Sequence, residues 1–166
     1  SSATVLGVIN RSPEHLPTLQ NMLFGFEGGS LGEMSALAIL IGLIYMLWKK
    51  VITWHIPVSI ILTVALFSGI IYIFNPIELY NPIIHIASGG LMLGACFMAT
   101  DYVTSPMTKK GMIIYGIGIG FVTMAIRFWG SYPEGVSFAI LLMNALTPLI
   151  NNYTLPKRFG EVVKNG

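Results

Sequence analysis

Five long apolar stretches, separated by short polar segments, set the pattern of this chain. Each contains close to the ~20 residues that a helix needs to cross the hydrocarbon core of a bilayer. The first stretch is the shortest, so a tilt or neighbouring residues would complete it. The predicted spans run from Glu33 to Trp48, His55 to Phe74, Asn81 to Thr100, Gly111 to Trp129 and Gly135 to Tyr153.

The charges between these stretches change sign from one loop to the next. Seven of the nine Lys and Arg residues follow spans one, three and five, namely Lys49, Lys50, Lys109, Lys110, Lys157, Arg158 and Lys164. The acidic residues that fall on the opposite side are Glu14, Glu27, Glu33, Glu78 and Glu134. Because loops rich in Lys and Arg stay in the cytoplasm, the pattern predicts an outside N-terminus and an inside C-terminus.

Composition favours a membrane protein over a soluble one. Hydrophobic residues make up 54% of the chain and charged residues only 10%, which leaves too little polar surface to cover a soluble globule. The net charge of +2 therefore reports loop topology and does not indicate nucleic-acid binding. Residues 1–30 lack a basic segment followed by an apolar run, so no cleavable signal peptide is predicted. Since the chain begins without Met, we interpret it as the latter part of a longer polypeptide.

Spans three and four are rich in small residues, which allows two interpretations. The small residues are Ser88, Gly89, Gly90, Gly94 and Ala95 in span three, and Gly116, Gly118 and Gly120 in span four. Such residues let helices approach closely in lipid, but they can also break a helix that lines a cavity. Close packing is the preferred interpretation, and helix breaks remain the alternative. Cys96, the single cysteine, is interpreted as a packing residue.

Ionisable residues in or beside the spans are candidates for function, because charge is expensive in a membrane. Asp101 is either an acid linked to ion movement or an N-cap or loop residue beside Lys109 and Lys110. His85 has no second His or Cys nearby at metal-ligand spacing, so a hydrogen bond between helices is preferred for it. No metal site is predicted.

Arg127 lies near the outer end of span four and is followed closely by aromatic residues and an acid. The stretch is Arg127-Phe128-Trp129-Gly130-Ser131-Tyr132-Pro133-Glu134. One interpretation is a clamp for an anionic or planar ligand. The other is an interfacial aromatic belt in which Arg127 extends toward water and pairs with Glu134.

Three stretches of the chain together resemble one family of membrane proteins. They run from Gly29 to Ser35, from Leu93 to Thr104 and from Ile126 to Asn144. With these motifs in this order, essentially the whole chain resembles RnfD, a membrane component of the Rnf complex. It also resembles the related NqrB component of the sodium-translocating NADH:quinone reductase.

The resemblance implies a covalent flavin. In this family a Ser-x-Ala-Thr motif carries FMN through a phosphoester to the threonine hydroxyl, and this chain opens with Ser1-Ser2-Ala3-Thr4. Thr4 is therefore the expected attachment residue, with Ser1 and Ala3 completing the motif. The charge pattern independently predicts that Thr4 lies outside, where the family's flavin is loaded. The resemblance also implies a non-covalent riboflavin, and Arg127 is a candidate to stabilise a reduced flavin.

The resemblance also implies a fold of two inverted repeats of five helices with broken helices near the midplane, of which these spans would form the second. The predicted organisation is an extracytoplasmic segment over 1–32, an all-α region of five membrane helices over 33–153 and a cytoplasmic tail over 154–166. The expected location is the inner (cytoplasmic) membrane.

The implied function is a subunit of a ferredoxin:NAD oxidoreductase that moves sodium ions or protons. The equivalent component of the NADH:quinone reductase is the nearest alternative. A passive solute channel and a structural scaffold are alternatives of another class, and both predict no bound flavin. Because one cysteine cannot ligate an iron-sulfur cluster, such clusters are expected in partner subunits.

Overall fold

The computed structural model describes residues 35–74, 81–88, 90–130 and 134–156. These residues form helices and connecting turns, and the described part contains no strand, which confirms the predicted all-α class. The helices are α1 (Ala36–Trp48), α2 (His55–Phe74), α3 (Pro82–Ala87), α4 (Leu91–Leu93), α5 (Lys109–Trp129) and α6 (Val136–Thr154). A turn of π-helix, Gly94–Met98, continues α4.

Three of these helices are long and apolar enough to cross a membrane. They are α2, α5 and α6, with 20, 21 and 19 residues, or roughly 30 Å each at a rise of 1.5 Å per residue. The predicted second, fourth and fifth spans are therefore confirmed as helices of spanning length. Helix α1 has 13 described residues, and the predicted start of the first span at Glu33 lies outside the described residues.

The third predicted span is broken. Asn81 caps α3, because its Oδ1 accepts a hydrogen bond from the backbone N of Ile83 at 3.1 Å and Pro82 stands in the first turn. The helix ends at Ser88, whose backbone is extended at φ −111° and ψ 160°. The chain turns back into a helix at Gly90, which adopts φ 62°, a left-handed conformation that favours glycine. The helix break, which the family resemblance also implies, is therefore confirmed for this part of span three.

The glycines of span four instead lie within an unbroken helix. Gly116 and Gly120 face α2, where an added Cβ at Gly120 would lie 2.7 Å from Cβ of Thr63. An added Cβ at Gly116 would meet the side chain of Ser59 and would lie 3.1 Å from the carbonyl oxygen of Ile56. Such close approach of two helices requires small residues. Close packing, the preferred interpretation, is confirmed for span four.

The core lies between α2, α5, α6 and the segment formed by α4 and its π-helical turn. Its fully buried side chains include Ile60, Leu91, Tyr115, Ile119 and Met124. Polar side chains on α2 form hydrogen bonds to carbonyls of the same helix. The Ser68 hydroxyl, for example, donates to the Val64 carbonyl at 2.7 Å. The large apolar side chains on the outer faces of α2, α5 and α6 are exposed in the chain itself, which fits helices that face lipid.

Three connecting regions meet at one end of the bundle. The Tyr102 hydroxyl donates to the carbonyl of Val51, which joins the α1–α2 turn to the segment after the π-helical turn. Thr108 Oγ1 donates to Thr154 Oγ1 at 2.8 Å, which joins the start of α5 to the end of α6. This end carries Lys49, Lys50, Lys109 and Lys110. The Lys-containing loops that the charge pattern assigned to one side of the membrane are thus neighbours in space. Which side of the membrane they face stays a prediction.

Candidate functional site at the broken helix

The break in span three exposes the carbonyl end of α3 inside the bundle. The last turn of any helix leaves carbonyl oxygens without donors from its own backbone, and lipid supplies none. One of these carbonyls, that of Ile84, accepts hydrogen bonds from the backbone N of Ser88 at 3.0 Å and from Ser88 Oγ at 2.6 Å. The others need donors from elsewhere.

Arg127 provides them from α5. Its Nη1 donates to the carbonyl of His85 at 2.6 Å and its Nη2 to the carbonyl of Ser88 at 2.9 Å. The two oxygens belong to residues separated by 42 and 39 positions from Arg127, so the contact ties span four to the break. A cation at a helix C-terminus is also favoured by the helix dipole. In this structure Arg127 therefore serves as the cap of α3.

A cluster of aromatic rings packs beside His85, whose carbonyl Arg127 binds. Phe128 lies with its ring centroid 5.4 Å from that of His85 and 6.1 Å from that of Phe67 on α2. The rings of Phe121 and Trp129 meet Phe67 edge-on at 5.8 Å and 6.2 Å. Phe128, the residue after Arg127, thus links His85 of α3 to Phe67 of α2 through ring contacts.

Two further polar groups are buried in this region. The Oγ1 of Thr123 is fully buried and has no hydrogen-bond partner among the described residues. Thr123 lies one helical turn before Arg127, on the same face of α5. The Oε1 of Glu134 is likewise buried without a hydrogen-bond partner in the described part of the chain. Next to it, Gly135 packs so closely on α5 that an added Cβ would lie 2.7 Å from Cβ of Ile126.

Asp101 lies at the opposite end of the bundle, after the π-helical turn. Its side chain is exposed, and its Oδ2 accepts a hydrogen bond from Thr104 Oγ1 at 3.1 Å. Its own carbonyl accepts from the backbone N of Ser105 at 3.1 Å. This is the geometry of a loop residue, and its role in ion movement stays a prediction.

The remaining candidates are placed as follows. Cys96 is fully buried and packs with Leu43, Ile52 and Met92, as expected of a packing residue. His55 stacks on Trp54 with ring centroids 4.3 Å apart. Within the described ranges no three His, Cys, Asp or Glu side chains are grouped as a metal site. Thr4, Ser1 and Ala3 lie outside the described residues, so the flavin-attachment motif stays a prediction.

Sequence reasoning missed one buried polar contact in the middle of the bundle. The hydroxyl of Tyr115 on α5 donates to Oδ1 of Asn144 on α6. Pro148 lies within α6 and has no N–H to donate to the carbonyl four residues earlier, which is that of Asn144. An asparagine four residues before a proline in an apolar span was the available signal for a polar site.

A family model described as the NQR2, RnfD, RnfE family matches residues 1–160. The chain belongs to this family. The resemblance inferred from the three sequence stretches is thereby confirmed.

Curated members of this family are similar to the chain over most of its length. The D subunit of the Na(+)-translocating ferredoxin:NAD(+) oxidoreductase complex of Acetobacterium woodii is 48% identical over 147 residues, 87% of this chain and 44% of that protein. The proton-translocating counterpart from Clostridium ljungdahlii is 48% identical over 84% of this chain and 42% of its own length. The D subunit of the ion-translocating oxidoreductase complex of Stutzerimonas stutzeri is 46% identical, covering 82% and 39%. The chain thus spans less than half the length of these relatives.

Proposed function

We propose that this chain is part of the FMN-carrying membrane subunit of a complex that couples electron transfer between ferredoxin and NAD to ion transport. The observation that carries the proposal is the family match over residues 1–160, together with relatives named as the D subunit of such complexes. Three helices of spanning length and a broken fourth segment support a place for it within a membrane.

Thr4 is the residue proposed to hold the FMN. It lies within the matched residues and completes the Ser1-Ser2-Ala3-Thr4 motif. The chemistry that a bound flavin supplies is transfer of one or two electrons between other carriers. Covalent attachment keeps such a group at a set position in the complex. Riboflavin is proposed as a second, non-covalent flavin, and iron-sulfur clusters are assigned to partner subunits.

The contribution of this chain's own residues is to hold buried polar groups near the helix break. Arg127 stabilises the carbonyl end of α3, and its two Nη groups point at backbone oxygens in this structure. For Arg127 to stabilise a reduced flavin in addition to α3, its guanidinium would have to reach that flavin. Asp101 is proposed as an acid linked to ion movement from the opposite end of the bundle.

Sodium ion and proton are both retained as the coupling ion. Relatives named for sodium and for proton translocation are each 48% identical to this chain. Overall similarity therefore does not discriminate between the two. The equivalent role in a sodium-translocating NADH:quinone reductase is the second candidate, because the matching family description includes NQR2.

In-gel flavin fluorescence of the denatured protein tests the proposal. The subunit is expressed in cells with an active flavin transferase, beside Thr4→Ala and, as the matched hydroxyl control, Ser2→Ala. We expect fluorescence that survives denaturation in the wild type and in Ser2→Ala and is lost in Thr4→Ala. No fluorescence in the wild type would contradict the flavin-carrying role and favour a channel or a scaffold.

A further inference from the structure

The carbonyl end of α3 has the chemistry of a cation site. Two backbone oxygens, those of His85 and Ser88, converge on one guanidinium at 2.6 Å and 2.9 Å. We propose that these oxygens form a binding site for a dehydrated monovalent cation, Na⁺, and that Arg127 occupies the site as a tethered competing cation. The proposal rests on the proposed ion-transporting function and names the site at which an ion is held.

The oxygens suit such an ion for a general reason. Backbone carbonyls can replace the hydration shell of an alkali cation, and the C-terminal ends of broken membrane helices coordinate Na⁺ with unwound carbonyls. Here the backbone becomes extended at Ser88, so the helical hydrogen-bond ladder of α3 stops there and Arg127 supplies the donors to the carbonyls of His85 and Ser88. The bound guanidinium demonstrates that this end of the helix accepts a positive charge.

A second observation concerns the face of α5 that carries Arg127. Thr123 is fully buried, and its Oγ1 has no hydrogen-bond partner within the described residues. A hydroxyl oxygen has two lone pairs and can serve as a neutral ligand for a cation. Thr123 lies one turn before Arg127 on the same face of α5. It therefore offers a further oxygen of the class that Na⁺ binds, close to the residue that holds the carbonyls.

Arg127 and Na⁺ cannot bind the same two oxygens at the same time. Arg127 is the third residue from the C-terminal end of α5, and a long side chain near a helix end can extend toward the membrane surface. Withdrawal of the guanidinium would free both carbonyls for the ion. Because coupling between two competing ligands is reciprocal, removing the guanidinium must increase the affinity for Na⁺.

Thermal unfolding of the purified full-length subunit in detergent tests this proposal. Melting is followed in NaCl, KCl and choline chloride at constant ionic strength, since an ion that binds only the folded state raises the Tm. We expect a saturable, sodium-specific rise in the wild type. In Arg127→Gln, we expect the half-saturating Na⁺ concentration to fall at least about tenfold, whereas Arg127→Lys, which keeps the positive charge, should lie between the wild type and Arg127→Gln.

The outcomes separate a cation site from a purely structural cap. A structural cap predicts that Arg127→Gln lowers the Tm equally in all three salts, and that result would overturn the proposal. If Arg127→Gln does not fold, Thr123→Val decides the matter. The sodium-specific rise in Tm should then be smaller in Thr123→Val than in the wild type. Absence of that rise in the wild type would overturn the proposal.

The same measurement distinguishes failure of this site from failure of the proposed function. Binding is read without electron transfer, so a subunit that lacks flavin can still show the sodium-specific rise. If a flavin-loaded subunit shows no sodium-specific rise in Tm, the proposed function stands and the proposed cation site is refuted.

Discussion

Spans three and four are both rich in glycine, yet the first is broken and the second is continuous. In α5, Gly116 and Gly120 are four residues apart and lie against α2. In span three, Gly90 takes a left-handed conformation, and the helix before it ends in carbonyls that Arg127 binds. The comparison indicates that glycine permits either outcome and that its surroundings decide. A facing helix with small polar residues favours packing, whereas a nearby, partly buried arginine stabilises a break.

The largest effect on this comparison should come from filling the α2–α5 contact. In Gly116→Val the added side chain would collide with Ser59 and crowd the carbonyl of Ile56. We expect a loss of about 3 kcal/mol in the free energy of unfolding, at the upper end for overpacking. Denaturant unfolding in detergent measures it. The matched control is Ile117→Val on the half-exposed face, and equal stability of the two variants would refute close packing at Gly116.

A smaller and more local effect should follow from removing the cap of the break. Arg127→Met leaves the carbonyls of His85 and Ser88 without the donors they have now. We expect a loss of about 2 kcal/mol, the middle of the range for buried groups left unsatisfied. Amide hydrogen exchange in α3 should then be faster by about 30-fold. The exchange rate in Arg127→Lys, which has a single ammonium, should lie between those of the wild type and Arg127→Met. Unchanged exchange of the α3 amides in Arg127→Met would contradict the capping role.

The left-handed conformation at Gly90 gives the next prediction. Gly90→Ala places a Cβ on a residue with φ 62°, which costs roughly 1–2 kcal/mol. Gly69→Ala is the control, because Gly69 lies inside α2 and an added Cβ would only touch Pro82 at 3.9 Å. Alanine in a helix interior should be neutral or more stable than glycine. The Tm shifts of Gly90→Ala and Gly69→Ala should therefore have opposite signs or clearly different sizes. Equal losses of Tm in the two variants would argue against strain at Gly90.

The smallest effect is expected at the start of the broken segment. Asn81→Ala removes the side chain that accepts from the backbone N of Ile83, and loss of such a cap typically costs about 1 kcal/mol. Asn81→Ser keeps an oxygen at this position and should retain most of the stability. Exchange of the first amides of α3 reports the difference, and identical behaviour of the two variants would exclude the cap.

The long helices could be predicted from the sequence because hydropathy and end residues agree. The predicted second span and α2 have the same bounds, His55 and Phe74. Helix α5 begins at Lys109, two residues before the predicted start at Gly111, because Thr108 caps it by accepting from the backbone N of Gly111 at 3.0 Å. In α5, the Thr108 cap therefore fixes where the helix begins.

The break and its cap could not be located in the same way. Hydropathy is continuous from Asn81 to Thr100, since Ser and Gly interrupt it only weakly. Arg127 was recognised as a candidate, but its described partners are backbone carbonyls, which have no side-chain signature in sequence. The residue types around Arg127 suggested only an ion pair with Glu134 or contact with an anionic or planar ligand.

Mass spectrometry of the tryptic peptide that ends at Arg11 is the most direct test of the central claim. The subunit should be isolated from cells in which the flavin transferase is active. We predict that the peptide containing Thr4 carries the mass of a phosphoester-linked flavin and that fragmentation assigns it to Thr4. An unmodified peptide, recovered from cells whose other flavin-transferase substrates are labelled, would contradict the claim that this chain carries FMN.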